Sequence, residues 1–180
     1  MQAVQIFAHG DPSVLQVVDI PRPAPQAGEV LARVLAVSLN HLDLWTRRGM
    51  PGFKVGFPRI LGCDGVGEVV ELGEGVAAAR ADLRVGTRVL LEPGYSSGTS
   101  AHDLAGNDHL SDDYGVRGEH GDGYACEFVA LPARFMPDRA GRIDEFTEEV
   151  QRWFAHDHRV KSHSGRVEAV MPAQNEKMRR

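Results

Sequence analysis

Leu39-Asn40-His41-Leu42-Asp43-Leu44-Trp45-Thr46-Arg47-Arg48-Gly49, then a proline-broken loop, then Leu61-Gly62-Cys63-Asp64-Gly65-Val66-Gly67-Glu68-Val69-Val70-Glu71-Leu72-Gly73-Glu74-Gly75-Val76, is the stretch on which the fold turns. Asn40 is a preferred helix cap and Gly49 a preferred stop, so a short helix is expected between them. The glycine-spaced run from Gly65 to Leu72 reads as a strand. A short helix, a loop and a strand in that order place Asn40, His41, Asp43, Cys63 and Asp64 at the mouth of a cleft. Gly65-Val66-Gly67 is not a dinucleotide fingerprint: the third glycine is replaced by Val70, and the residues fall inside a strand. Backbone bulging and close strand packing account for these glycines instead.

Outward from this stretch the pattern is strand and turn. Met1 to Ala8 and Leu15 to Ile20 are β-favouring runs joined through Gly10-Asp11-Pro12. Pro21, Pro23 and Pro25 force an extended crossing. Glu29 to Leu39, with Arg33 as its only interior charge, fits a strand buried on one face and partly on the other. Thr87 to Leu91 and Tyr124 to Leu131 supply further strands. About five or six short strands with glycine turns and one small helix predict a mainly β, closed or nearly closed barrel.

Between Pro93 and Gly123 lies a polar connection of about thirty residues, too long for an ordinary loop and so either functional or partly disordered. After Pro137 the character changes. Ile143, Phe146, Val150, Trp153 and Phe154 recur at helical spacing, with acids near the start and Arg152 near the end, predicting an amphipathic helix. Arg166 to Met171 reads as a last strand and Pro172 to Arg180 as a frayed tail. The domain reading is therefore 1–137 for the barrel and 138–180 for the helix and a possible closing strand.

The 180 residues suffice for one ordinary domain, with a core that needs no metal or disulfide for stability. Twenty basic against 25 acidic residues give a net charge of −5, so no nucleic-acid partner is expected. Two distant cysteines, Cys63 and Cys126, with no apolar run long enough to span a membrane and no signal-like amino terminus, predict a cytoplasmic chain with reduced thiols.

The opening stretch resembles the GroES-like catalytic domain of the medium-chain dehydrogenase/reductase family, the zinc alcohol dehydrogenases and quinone oxidoreductases. Val85-Gly86-Thr87-Arg88-Val89 resembles the family's turn into a barrel strand. Gly118-Glu119-His120 and Gly123-Tyr124-Ala125-Cys126-Glu127-Phe128-Val129 resemble a later strand. The resemblance runs from about Gln2 to Pro137 and implies a GroES-like β-barrel and, by ancestry, nicotinamide-dependent hydride transfer to or from an alcohol, aldehyde or quinone-like carbonyl. In zinc-dependent members the position of Asn40 is cysteine and that of Cys63 is histidine, so the resemblance implies a zinc-free cleft of the quinone oxidoreductase kind. Four cysteines that hold a structural zinc in some members match Ser97, Ser100, Asp103 and Ser111, so that metal is not expected either and the loop is expected to be mobile.

The Rossmann nucleotide-binding domain of the family is not in this sequence. No cofactor is therefore expected in the chain itself, and NAD or NADP only where a partner supplies the nucleotide domain; the truncated oxidoreductase is expected to be silent alone. The carboxy-terminal segment resembles the family's barrel-closing pieces, which suggests an internal deletion; a truncated or frameshifted gene with an unrelated tail is the alternative. Two other readings stand beside this one: a homo-oligomer joined through the carboxy-terminal helix or the exposed cleft edge, and an enzyme completed by a separate nucleotide-binding chain. His41, Asp43, Cys63 and Asp64 carry donors that suit an acquired zinc, although Asp43 has a commoner role as a hydrogen-bonded helix residue. Asp64 should raise the pKa of Cys63, which reads as an inert buried thiol, and Cys126 as core packing. The dispersed histidines 102, 109, 120, 156, 158 and 163 read as solvated. Trp153 and Phe154 either cover the open end of the barrel or form the surface of self-association.

Overall fold

The computed structural model describes residues 1–52 and 54–136. The expected carboxy-terminal helix, the strand from Arg166 to Met171 and the whole second unit lie outside the described residues.

The amino-terminal strands β1 (Gln2–Ile6) and β2 (Gln16–Asp19) pair antiparallel, with Ala3 opposite Val18. Between them Asp11 caps a single turn, accepting from Ser13 N–H at 2.8 Å, as expected where aspartate precedes proline. β3 (Glu29–Val37) is the centre of the molecule, its Val30, Leu31 and Ala32 fully buried. Burial on both faces at residues 30 to 32 explains the apolar start of the strand, whereas Arg33, Leu35 and Ala36 further along are exposed. The helix α1 (His41–Arg48) and the short β4 (Arg59–Ile60) follow, then β5 (Gly65–Leu72), a turn of helix α2 (Val76–Ala79) and β6 (Arg88–Leu91).

Among the described residues these strands form a four-stranded sheet in the order β6-β5-β3, closed by β9 (Phe128–Pro132), and a three-stranded sheet in the order β2-β1-β4. The expected strand from Tyr124 to Leu131 is split between them. Its first residues join β1, Val4 N–H bonding Ala125 O at 2.8 Å and Ala3 bridging Cys126, before the run passes to β3 through Val34 N–H on Glu127 O at 2.9 Å. One extended segment thus stitches the two sheets together around a shared core that includes Val69, Val89, Leu91, Tyr124, Cys126 and Met136.

Two register shifts in the β3–β5 pair lie between Leu31 and Ala32 and between Val34 and Ala36. Just past the second, Gly65 pairs with Val37, and glycine is needed there because a Cβ would collide with the Ala36 carbonyl. The strand and close-packing reading of Gly65-Val66-Gly67 therefore holds.

The expected irregular loop from Pro93 to Gly123 is corrected. It folds into β7 (Gly94–Tyr95), a capped turn of helix α3 (Ala101–Leu104) and β8 (Gly115–Val116), which pairs back on β7. Serine and aspartate side chains bond its backbone, supplying partners that no neighbouring strand provides.

Candidate functional site

The candidate residues meet where the start of α1 approaches the segment before β5. Asp43, on the first turn of α1, is buried and holds both parts. Its Oδ2 accepts from Asn40 N–H at 2.8 Å, the reciprocal half of a capping box, and its Oδ1 accepts from Gly62 N–H at 2.7 Å. Residues 123–125 support the same segment from behind, with Tyr124 N–H on Gly62 O at 2.8 Å and Ala125 N–H on Leu61 O at 2.9 Å. Cys63 and Asp64 are thereby fixed next to Asn40.

The Asn40 amide faces both of them. Nδ2 donates to Asp64 Oδ1 at 2.8 Å, to Ser38 Oγ at 3.1 Å and toward Cys63 Sγ at 3.3 Å. The Ser38 hydroxyl also donates to Asp64 Oδ1. The opposite amide orientation would set a carbonyl against a carboxylate, so the donor orientation is the one electrostatics selects. Ser38 was not legible as a site residue, because its partner lies 26 residues away.

Burial, then the charges of Asp64 and Asp43, push the Cys63 thiol up to about 11, so it is protonated at neutral pH. Burial also raises the Asp43 carboxyl above its ordinary value, opposed by the N–H bonds from Asn40 and Gly62. His41 is not part of the cluster: it is exposed and lies against Trp45, ring centroids 6.0 Å apart. The expected candidates therefore separate into Asn40, Asp43, Cys63 and Asp64, which meet, and His41, which does not join them.

Zinc does not fit this arrangement. Asn40 turns its amide hydrogens toward the cluster, Asp43 spends its two oxygens on backbone N–H groups, and the remaining pair, Cys63 and Asp64, falls short of the three protein ligands that a catalytic zinc takes. Among the described residues no three histidine, cysteine or acidic side chains lie together in a way that could hold a metal ion. A dinucleotide phosphate does not fit the glycine run either. β5 is paired on both sides, with β3 and β6, and a Cβ on Gly67 would sit 3.2 Å from Arg33 O.

The second candidate set, Ser97, Ser100, Asp103 and Ser111, does come together, joined by Ser96 and Asp113, which were not singled out from sequence. Ser111 Oγ lies 2.8 Å from Ser100 Oγ and 2.7 Å from Asp113 Oδ1, and Ser96 Oγ donates to Asp103 Oδ1 at 2.6 Å. Cys126 is buried with its sulfur 3.3 Å from Phe128 O, and burial pushes it up to about 12, consistent with packing alone. His102, His109 and His120 are exposed or at the surface of this lobe, and His156, His158 and His163 lie outside the described residues. No helix among the described residues is long and apolar enough to cross a membrane.

Known proteins share this design. Residues 26–140 match the alcohol dehydrogenase GroES-like domain. The L-threonine 3-dehydrogenase of Streptomyces coelicolor is 35% identical over 121 residues, covering 66% of this chain and 34% of that protein. The starvation-sensing protein RspB of Escherichia coli (strain K12) is 32% identical over 123 residues, covering 68% and 35%. The quinone oxidoreductase of Rattus norvegicus is 33% identical over 97 residues, covering 53% and 30%. A crystal structure of an NAD-dependent alcohol dehydrogenase superposes with a TM-score of 0.67 at 40% identity, over 76% of this chain and 39% of that one. The chain spans about a third of the length of the curated relatives it matches. With its two sheets stitched by one segment, it belongs to the alcohol dehydrogenase GroES-like domain family of the medium-chain dehydrogenase/reductases.

Proposed function

We propose that the chain is the substrate-side part of a zinc-free oxidoreductase, unable to carry out hydride transfer by itself. The observation that carries this reading is the Asn40 amide donating to Asp64 and toward Cys63 where zinc-dependent relatives hold their metal. A bound carbonyl or alcohol would be oriented there by hydrogen bonds, with Asp43 keeping the two sides of the cleft in register. Hydride transfer also needs a nicotinamide held at fixed geometry against the substrate, and the described residues supply no phosphate cradle for it.

Completion by a nucleotide-binding portion is favoured by one further observation. Trp45 and Met50 on the α1 side, together with Phe7 and Phe57, are 43%, 41%, 48% and 39% exposed. Several exposed large apolar side chains suit a surface that another domain covers. Calorimetric titration of the purified chain with NADPH tests the proposal. No binding is expected; micromolar binding by the chain alone would overturn it. Cofactor-dependent turnover appearing only on mixing with a nucleotide-binding partner would establish the completed enzyme. Self-association through the carboxy-terminal helix is a separate reading, which sedimentation showing only monomer would reject.

A further inference from the structure

The lobe from Ser96 to Asp113 stands where some zinc alcohol dehydrogenases hold a four-thiolate zinc, and its residues do not fit that metal. Serine hydroxyls are poor zinc ligands, and the two carboxylates already face hydrogens. Asp103 Oδ1 accepts from Ser96 Oγ at 2.6 Å; its Oδ2 accepts from Ser100 N–H at 2.9 Å and from Ser111 Oγ at 3.3 Å. Asp113 accepts from Ser97 N–H at 3.0 Å and from Ser111 Oγ at 2.7 Å. A zinc entering the cluster would have to displace these hydrogen bonds and would find no thiolate or imidazole in exchange.

We propose that this lobe is closed by a metal-independent clip, in which Asp103 and Asp113 replace the metal and the serines replace the thiolates. The clip joins what a zinc would join. Ser96 and Ser97 follow β7, Ser100 caps α3 and Asp103 lies in it, and Ser111 and Asp113 lead into β8, so three separate stretches of chain meet at two carboxylates. Ser111 is buried between them, and its single proton lies between two negative groups that would otherwise repel. The clip is also tied to the body of the domain, because Arg134 Nη2, just beyond β9, donates to Ser96 O at 2.6 Å. The hydrogen bonds from Ser96, Ser100 and Ser111 hold the Asp103 carboxyl down at about 2, so the charged acceptor persists at any ordinary pH.

Residue-resolved hydrogen exchange on the full chain tests this. In the wild-type protein, exchange of the Ser97, Ser100 and Asp103 amides should be the same with a chelator or with equimolar zinc. Asp103→Ala should speed exchange of these amides at least about tenfold while leaving the β3 and β5 amides unchanged. Should Asp103→Ala fail to fold, Ser111→Ala, which removes one hydroxyl, should show the same local effect more weakly. Slower exchange on adding zinc, or faster exchange on chelation, would mean that a metal closes the lobe and would overturn the proposal. Unchanged lobe exchange in both variants would overturn it equally.

Discussion

Asp43 is the residue on which the cleft depends most. It is buried, and its two oxygens hold the Asn40 and Gly62 amides, groups that no other acceptor reaches in the described residues. Asp43→Ala should therefore lower stability by about 2–3 kcal/mol in urea unfolding, the usual cost of leaving buried donors unpaired. Because burial raises its carboxyl in the folded state, the native protein binds this proton more tightly than the unfolded chain does. Its titration should favour the fold at low pH and lose that contribution as pH rises through the raised folded value; Asp43→Asn should remove this component of the stability profile. Cys63 gives a second test. With its thiol near 11 against an ordinary 9.0, alkylation by iodoacetamide at neutral pH should be about a hundredfold slower than for an unperturbed thiol. Asp64→Asn should speed it, because the Asp64 charge is one cause of the shift.

At the scale of elements, what was legible in the sequence was whatever is decided locally. The ends of α1 follow from Asn40 and Gly49, and β5 runs from Gly65 to Leu72 as its glycine and valine pattern implies. β7, α3 and β8 were not legible. Each is only two to four residues long and exists through bonds to residues 3 to 22 positions away, such as Ser97 to Asp113 and Gly94 to Val116. The single strand expected from Tyr124 failed for a related reason: propensity marks the run as extended but not the point at which it changes sheets. The close approach of Gly65 to the Ala36 carbonyl makes a sharper prediction. Gly65→Ala should cost about 2 kcal/mol or more, since its Cβ meets backbone rather than a side chain that can move. Gly86→Ala, where the space is open but φ is +90°, should also destabilise, through backbone strain alone.

At the scale of the molecule, the family could be read from the order of the blocks, and the candidate cluster from four of its five cleft residues. Asn40, Asp43, Cys63 and Asp64 meet because Asp43 and the strand-like 123–125 segment clamp the same turn. His41 lies apart from these four because α1 carries its ring toward Trp45, one turn further along. We propose that an amide stands at this site in place of a metal. A zinc titration of the wild-type chain, followed by calorimetry and repeated on Cys63→Ala, tests it most directly. No site tighter than about a micromolar is expected in either protein. One equivalent of zinc bound more tightly by the wild type and lost in Cys63→Ala would contradict it.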